Sequence, residues 1–247
     1  MSRCHAVCGA GTAKKFILPL DKLKIICYNI TVLYNSVIRR QRMSGEENTT
    51  LGRILSAAKT EFLEKGFKSA SLRNIVKDAG VTTGAFYGYF ASKEELFDAL
   101  VREKYEVFME MYRGTQEAFT KLPPEEQVKS MGKLSGECLG RMLEYAYADL
   151  DVFRLLLCSA EGTRYENMVH DMVAEEVSAT HSFARVMEGL GYEKYELDPT
   201  LEHILVSGMF SAFFEMIIHD VPYERASEYL KKLRAFYTAG WKEIMGF

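Results

Sequence analysis

The chain is 247 residues long, carries a formal net charge of −3 and contains only five prolines. That length suits one or two domains with a core of their own, and scarce proline beside abundant Leu, Ala, Glu, Lys and Met favours helix. Residues 1–43 hold eight Lys/Arg and one Asp, residues 44–100 hold seven Lys/Arg and eight Asp/Glu, and residues 101–247 hold sixteen and twenty-five, so the bulk of the chain is too acidic for strong non-specific attraction to a polyanion.

The first 42 residues are unlike the rest and hold three of the five cysteines, Cys4, Cys8 and Cys27. The stretch from Ile25 to Ile38 is apolar but shorter than the roughly 20 residues a bilayer span needs, and Asp21, Lys22 and Lys24 interrupt its upstream side. No small-residue cleavage site follows it, so neither a secretory signal nor a membrane anchor is expected, and the location expected is cytoplasmic. Cys4-His5-x-x-Cys8 has no second half elsewhere in the chain, so no metal is expected.

Residues 71–93, SLRNIVKDAGVTTGAFYGYFASK, read as two short helices, a glycine turn between them and the start of a third. Ser71 stands at an N-cap position, and Leu72, Ile75, Val76 and Ala79 follow at helical spacing. Gly80 suits the left-handed residue that ends such a helix. Thr82 or Thr83 then caps a helix reaching about Phe90, and Ser92 with Glu95 has capping-box spacing for the next. Two short helices at a glycine turn are the means by which one helix is set into the major groove of DNA.

The run GVTTGAFYGYFASKEEL, residues 80–96, closely resembles the helix-turn-helix signature of the tetracycline-repressor-type (TetR) transcriptional regulators. The resemblance extends upstream over RILSAAKTEFLEKGF, residues 53–67, which is similar to that family's first helix and its Gly-Phe exit, and it covers about residues 49–100. It implies an all-α fold: an N-terminal three-helix DNA-binding head over residues 43–97 and a C-terminal helical ligand-binding and dimerisation body over residues 98–247. Met43-Ser-Gly-Glu-Glu is like an ordinary start for the family. Arg39-Arg40, if both encoded AGG, would form a ribosome-binding sequence just ahead of it, so residues 1–42 are expected to be an upstream extension of the reading frame, with a basic DNA-gripping arm as the alternative.

Within the head, Thr82, Thr83, Gly84 and Ala85 form the front of the recognition helix, where small residues let the backbone approach base edges and a threonine offers a hydroxyl or a methyl. Thr83 could equally serve only as a cap. No Arg, Asn or Gln lies on this helix, so sequence reading leans on the threonines, on nearby Arg73 and on DNA shape. By resemblance Tyr87 and Tyr89 contact phosphates. Lys93, at the N-terminus of the following helix, adds a cation beside free backbone N–H groups. Phe86 and Phe90 are assigned to the head's core.

Past the head the spacing predicts a long helix from Ser92 to about Ala118, a break at Pro123-Pro124, a helix from Glu125 to Ala148, and a shorter one over Val152–Ala160 capped by Asp149. Further helices are expected over Glu166–Leu190, from Asp198-Pro199 to Ile218, and from Pro222 to Gly246. Phe108, Met111, Tyr112, Met142, Tyr145, Phe153, Leu157 and Phe183 are candidates for the wall of a ligand cavity, with ordinary core as the other reading of each. By resemblance Met168–Leu190 and Pro199–Ile218 pair with their symmetry mates, presenting Leu201, Leu205, Gly208, Met209, Ala212, Phe213 and Met216.

The expected partners are a pseudo-palindromic double-stranded DNA operator, a second copy of the chain and a small apolar or aromatic effector that releases the DNA; no cofactor and no membrane are expected. No paired carboxylates, Ser/His/Asp arrangement or phosphate loop is evident, so no catalytic residues are assigned. Two other classes stay open: a DNA-free protein-interaction module, and an enzyme on the same helical scaffold.

Overall fold

A computed structural model describes residues 49–246, and every regular element among them is an α-helix, as the sequence predicts. The expectations for residues 1–42 and for a start at Met43 lie outside the described residues. The helices are α1 (Thr50–Ser69), α2 (Leu72–Asp78), α3 (Thr83–Tyr87), α4 (Lys93–Thr120), α5 (Pro124–Ser130), α6 (Lys133–Tyr147), α7 (Leu150–Cys158), α8 (Met168–Gly189), α9 (Pro199–Ile218) and α10 (Tyr223–Met245).

Helices α1 to α3 form the head. Ile54, Ala58 and Phe62 from α1, Ile75 from α2 and Phe86 from α3 meet in its core, each at helical spacing within its own segment. Phe86 and Phe90 are both buried, as expected. The core continues into the body through Phe97 of α4, whose ring makes edge contacts with Phe62 at 5.2 Å and Phe67 at 5.4 Å between centroids.

The joint between head and body is polar as well as aromatic. Gly66 breaks α1 with φ 71° and ψ 161°, which turns the carbonyls of the following residues out of the helix ladder. The Lys93 ammonium collects three of them, donating to the oxygens of Phe67 at 2.7 Å, Ala70 at 3.2 Å and Lys68 at 3.3 Å. It also lies 4.5 Å from the centre of the Phe67 ring. From the other side, the Phe67 N–H donates to Ser159 O at 2.8 Å just after α7, and Lys68 pairs with Glu161 at 2.7 Å.

Asp98, one turn into α4, binds the loop before α8. Its carboxylate accepts from Tyr165 Oη at 2.5 Å, pairs with Arg164 at 2.6 Å and is also held by Arg102. Burial works to raise this carboxyl, but the Arg102 and Tyr165 hydrogen bonds and the Arg164 charge outweigh it and hold it below its ordinary value. The Tyr165 hydroxyl is pushed up to about 12 by burial and by the hydrogen bond to Asp98.

Three local expectations are revised. Ser71 occupies the N-cap of α2 without a side-chain cap bond; its backbone N–H donates instead to Glu61 Oε1 at 3.0 Å. Asp149 precedes α7 but makes no cap bond, and its carboxylate lies 3.7 Å from Lys104 Nζ. The single helix predicted over Glu125–Ala148 is two, because Gly132 takes φ 76° between α5 and α6. A methyl group there would sit 2.8 Å from Thr238 Oγ1, so the left-handed turn and the close approach of α10 both require glycine. Asp198 does cap α9, accepting from the N–H groups of Thr200 at 2.9 Å and Leu201 at 3.1 Å.

Removing the Lys93 ammonium leaves three carbonyls at the head–body joint without their charged donor. Lys93→Met is expected to lower the unfolding free energy by about 1.5–3 kcal/mol, the usual worth of hydrogen bonds to a charged group. Urea unfolding reads this as a lower midpoint; an unchanged midpoint would show that the joint does not depend on this side chain.

Candidate nucleic-acid interface and internal cavity

The helix-turn-helix is built by short-range bonds. Gly80, with φ 61°, closes α2, and its N–H donates to Lys77 O at 3.0 Å. The Val81 N–H reaches back to Val76 O at 3.2 Å, so the turn is held from both of its first two residues. Thr82 is the cap of α3, its Oγ1 accepting from the Ala85 N–H at 3.1 Å. Thr83, which the sequence left as either a cap or a base reader, is therefore free of the capping role.

The outer surface of this unit is open. Thr82, Thr83 and Gly84 are exposed, Ala85 is half-buried, and Tyr87 and Tyr89 are 56% and 48% exposed. Thr83, Gly84 and Tyr87 share one face of α3 by their spacing. A methyl group added at Gly84 would meet nothing within 4 Å, so no close contact at the backbone demands a glycine there. Arg73 and Lys77 are exposed on α2.

Glu61 orients α2 beneath this surface, a residue the sequence reading did not single out. It is 5% exposed, and its carboxylate accepts from Lys65 Nζ at 2.8 and 2.9 Å, the Ser71 N–H at 3.0 Å and Asn74 Nδ2 at 3.3 Å. The Lys65 hydrogen bond, with that of the Ser71 backbone, holds this carboxyl below its ordinary value of 4.5.

Lys93 has different partners from the phosphate expected of it. An ammonium has three N–H donors, and all three are directed at main-chain carbonyls of the head. The adjoining N-terminus of α4 is also occupied. Ser92 Oγ accepts from the Glu95 N–H at 3.1 Å, and Glu95 reaches past Ser92 to the Ala91 N–H at 2.7 Å. With Glu94 and Glu95 in the first turn, the positive end of this helix already carries its anions.

A cavity of about 310 Å³ lies in the body between α4, α6, α8, α9 and α10. Of the eight wall residues expected, Tyr112 and Phe183 line it. Phe108, Met142 and Phe153 are fully buried core, and Met111, Tyr145 and Leu157 pack half-buried against that core. The wall is completed by Phe119 of α4, Met209 and Phe213 of α9, and Leu230, Arg234, Tyr237 and Trp241 of α10. The α10 residues went unnoticed, although 230, 234, 237 and 241 fall on one helical stripe.

One carboxylate reaches the cavity. Glu176 Oε2 accepts from Gln116 Nε2 at 2.7 Å and from Tyr112 Oη at 2.9 Å. Burial pushes this carboxyl above its ordinary value, against the pull of those two hydrogen bonds. Burial and the neighbouring Glu176 push the Tyr112 hydroxyl up as well.

The residues expected on a dimer face separate into two groups. Phe213 and Met216 are buried inside the protomer, and Met209 faces the cavity with Phe213. Leu201 is exposed, and Leu205, Gly208 and Ala212 are half-buried. Ile204 (57% exposed) lies beside them on α9, and α10 adds Phe236 (71% exposed). On α8 the apolar residues Met168, Met172, Val173, Phe183 and Met187 all point inward, leaving an outer face of His170, Asp171, Ser178, His181, Arg185 and Glu188. His181 pairs with the buried Glu202 of α9 at 2.7 Å. Helix α9 is long and apolar enough to cross a membrane by length and composition alone, but it packs here against α7, α8 and α10.

Residues 54–100 match the family model described as "Bacterial regulatory proteins, tetR family". The chain is similar to the HTH-type transcriptional regulator UidR of Escherichia coli K12, with 26% identity over 198 residues, covering 78% of this chain and 93% of UidR. It is also similar to the HTH-type transcriptional repressor KstR2 of Mycobacterium tuberculosis H37Rv, with 28% identity over 113 residues; the match spans 46% of this chain and 54%, about half, of that relative's length. Among solved structures, SCO3833 of Streptomyces coelicolor A3, a member of the TetR transcriptional regulator family, superposes with a TM-score of 0.51 at 18% identity, covering 76% of this chain and 90% of that one. The ketosteroid transcriptional regulator KstR2 of M. tuberculosis gives 0.50 at 19% identity, covering 78% and 95%. The solved structures show the chain's all-α fold.

The Glu61 cluster makes the head's stability depend on pH in a defined sense. Folding favours the ionised carboxyl, so its contribution is complete above the ordinary value of 4.5 and is lost as pH falls below that through the lower folded value. The difference in stability between the wild type and Glu61→Gln, followed by urea unfolding, is expected to be largest at neutral pH and to shrink below pH 4.5. A pH-independent difference would remove the carboxylate charge from the account.

Proposed function

Because residues 54–100 match the model of the tetR family of bacterial regulatory proteins, we propose that this chain is a ligand-responsive transcriptional repressor. It acts in the cytoplasm as a homodimer on a pseudo-palindromic double-stranded DNA operator and is released by a small, largely apolar effector. The observation that carries the reading is the open face of α3, where Thr83, Gly84 and Tyr87 are exposed together. The naming of KstR2 as a repressor supports the direction of control.

Thr82, Thr83, Gly84 and Ala85 approach the base edges, Arg73 reaches a base or a nearby phosphate, and Tyr87 and Tyr89 donate to phosphates on either side. Lys93 serves this surface indirectly, by holding α1 and α4 in register. The dimer forms through α9 and α10 rather than α8 and α9. The exposed residues Leu201, Ile204 and Phe236 support this, while α8 turns a polar face outward. Two heads then stand about 34–36 Å apart, one turn of duplex.

Release follows from the path of α4. Its first residue holds the head, and its last two turns, through Tyr112, Thr115, Gln116 and Phe119, line the cavity. An effector that fits the cavity better in one tilt of α4 than in another alters the spacing of the heads. Coupling of about 1–3 kcal/mol changes DNA affinity about 5–150-fold.

Footprinting of the purified protein on DNA flanking its own gene tests the function directly, and absence of any protected dyad would end it. Gly84→Leu is expected to leave thermal stability no lower, since leucine is the better helix former, while cutting operator affinity by about tenfold or more. Equal affinity would take the front of α3 off the DNA. Tyr87→Phe should weaken operator and random DNA alike, whereas Thr83→Ala should change the preference between them. Phe236→Glu is expected to give a folded monomer in sedimentation; a persistent dimer would move the interface elsewhere.

A further inference from the structure

Arg234 is the one cationic side chain in the cavity wall among the described residues, and it is poorly partnered there. Its Nε is buried with no hydrogen-bond acceptor, and a terminal nitrogen makes one long contact of 3.5 Å to Gly132 O. No carboxylate among the described residues pairs with it. A guanidinium seated this way costs free energy that a partner anion would offset. The seat itself is specific. A methyl group added at Gly136 would run into the guanidinium, so Arg234 lies across the bare backbone of α6 at the point where Gly132 turns and Thr238 approaches.

We propose that the effector is an apolar monocarboxylic acid whose carboxylate pairs with Arg234. This rests on the reading of the cavity as the effector site. A planar guanidinium matches a carboxylate in two parallel hydrogen bonds, which Lys does not do. Phe119, Phe183, Met209 and Trp241 give the rest of the wall an apolar character that suits a hydrocarbon or aromatic body. One guanidinium with no lysine beside it neutralises a single negative charge; a dianion would leave a charge uncompensated in a buried site. Glu176, the cavity's own carboxyl, already accepts from Tyr112 and Gln116, so it is tied to its own partners and not to Arg234. At about 310 Å³ the space lies at the small end for ligand cavities, which favours a medium-chain or compact aromatic acid.

Trp241 is the only tryptophan in the chain and lies in the wall, so its emission reports occupancy directly. The full-length protein is titrated at neutral pH with decanoate, decanol and decylamine, three probes of one chain length and different head groups. Decanoate is expected to bind about tenfold or more tightly than decanol, with decylamine weakest. Arg234→Met should abolish the preference while keeping decanol affinity within about twofold, which also shows that the cavity is intact. Gly136→Ala, which keeps the charge and denies the guanidinium its seat, should reduce the preference too. Equal binding of decanoate and decanol to the wild type, tightest binding of decylamine, or a preference that survives both substitutions overturns the proposal while leaving an effector cavity. No response to any of the three overturns the effector cavity as well.

Discussion

One ammonium group holds the architecture together. Lys93 stands at the first position of α4 and donates to three carbonyls at and just past the end of α1, beyond the break at Gly66. Because those acceptors are main-chain atoms, the bond set fixes the path of the backbone and not merely a side chain. The same turn is gripped from the body by Ser159 O through the Phe67 N–H. The head therefore has no hinge of its own at this point: an adjustment of α4 or of the end of α7 is transmitted to α1 through bonds about 3 Å long.

At the far end of α4 the construction is softer. Tyr112, Gln116 and Glu176 form a small polar network in a mostly apolar wall, and α10 closes the opposite side by lying against Gly132, just before α6, and Gly136 within it. A cavity of this kind is kept open by its frame, since the neighbouring core residues Phe108 and Phe153 are fully buried. Rigid joint, continuous helix and adaptable cavity together give a protein whose two binding surfaces share a single structural element.

How far the sequence could be read depended on the range of the forces involved. The head was legible because its signals are local: Gly80 turns where the spacing of Leu72, Ile75 and Ala79 ends, Thr82 caps its own helix, and Phe86 and Phe90 lie four residues apart on a buried side. The carbonyl partners of Lys93 were not legible, because they are 23 to 26 residues away and no periodicity announces a carbonyl cluster. Helix α9 is apolar on all sides, so nothing in its pattern separates Phe213 and Met216, which face inward, from Leu201 and Ile204, which do not. The cavity wall was mostly missed for the same reason. Phe108 and Phe119 look alike in sequence, and only the tertiary placement of α10 decides which of them meets open space.

The length of α4 has a mechanical meaning. At 28 residues it runs about 42 Å without a break. Pivoted near one end, a rigid rod of that length turns a rotation of about 5° into a displacement of about 3–4 Å at the other, the better part of one base-pair rise or more. A change at the wall too slight to alter the packing of any core residue is thus magnified to the scale on which a double helix is counted, and proline or a glycine pair placed midway along the rod would bend it and silence the far end.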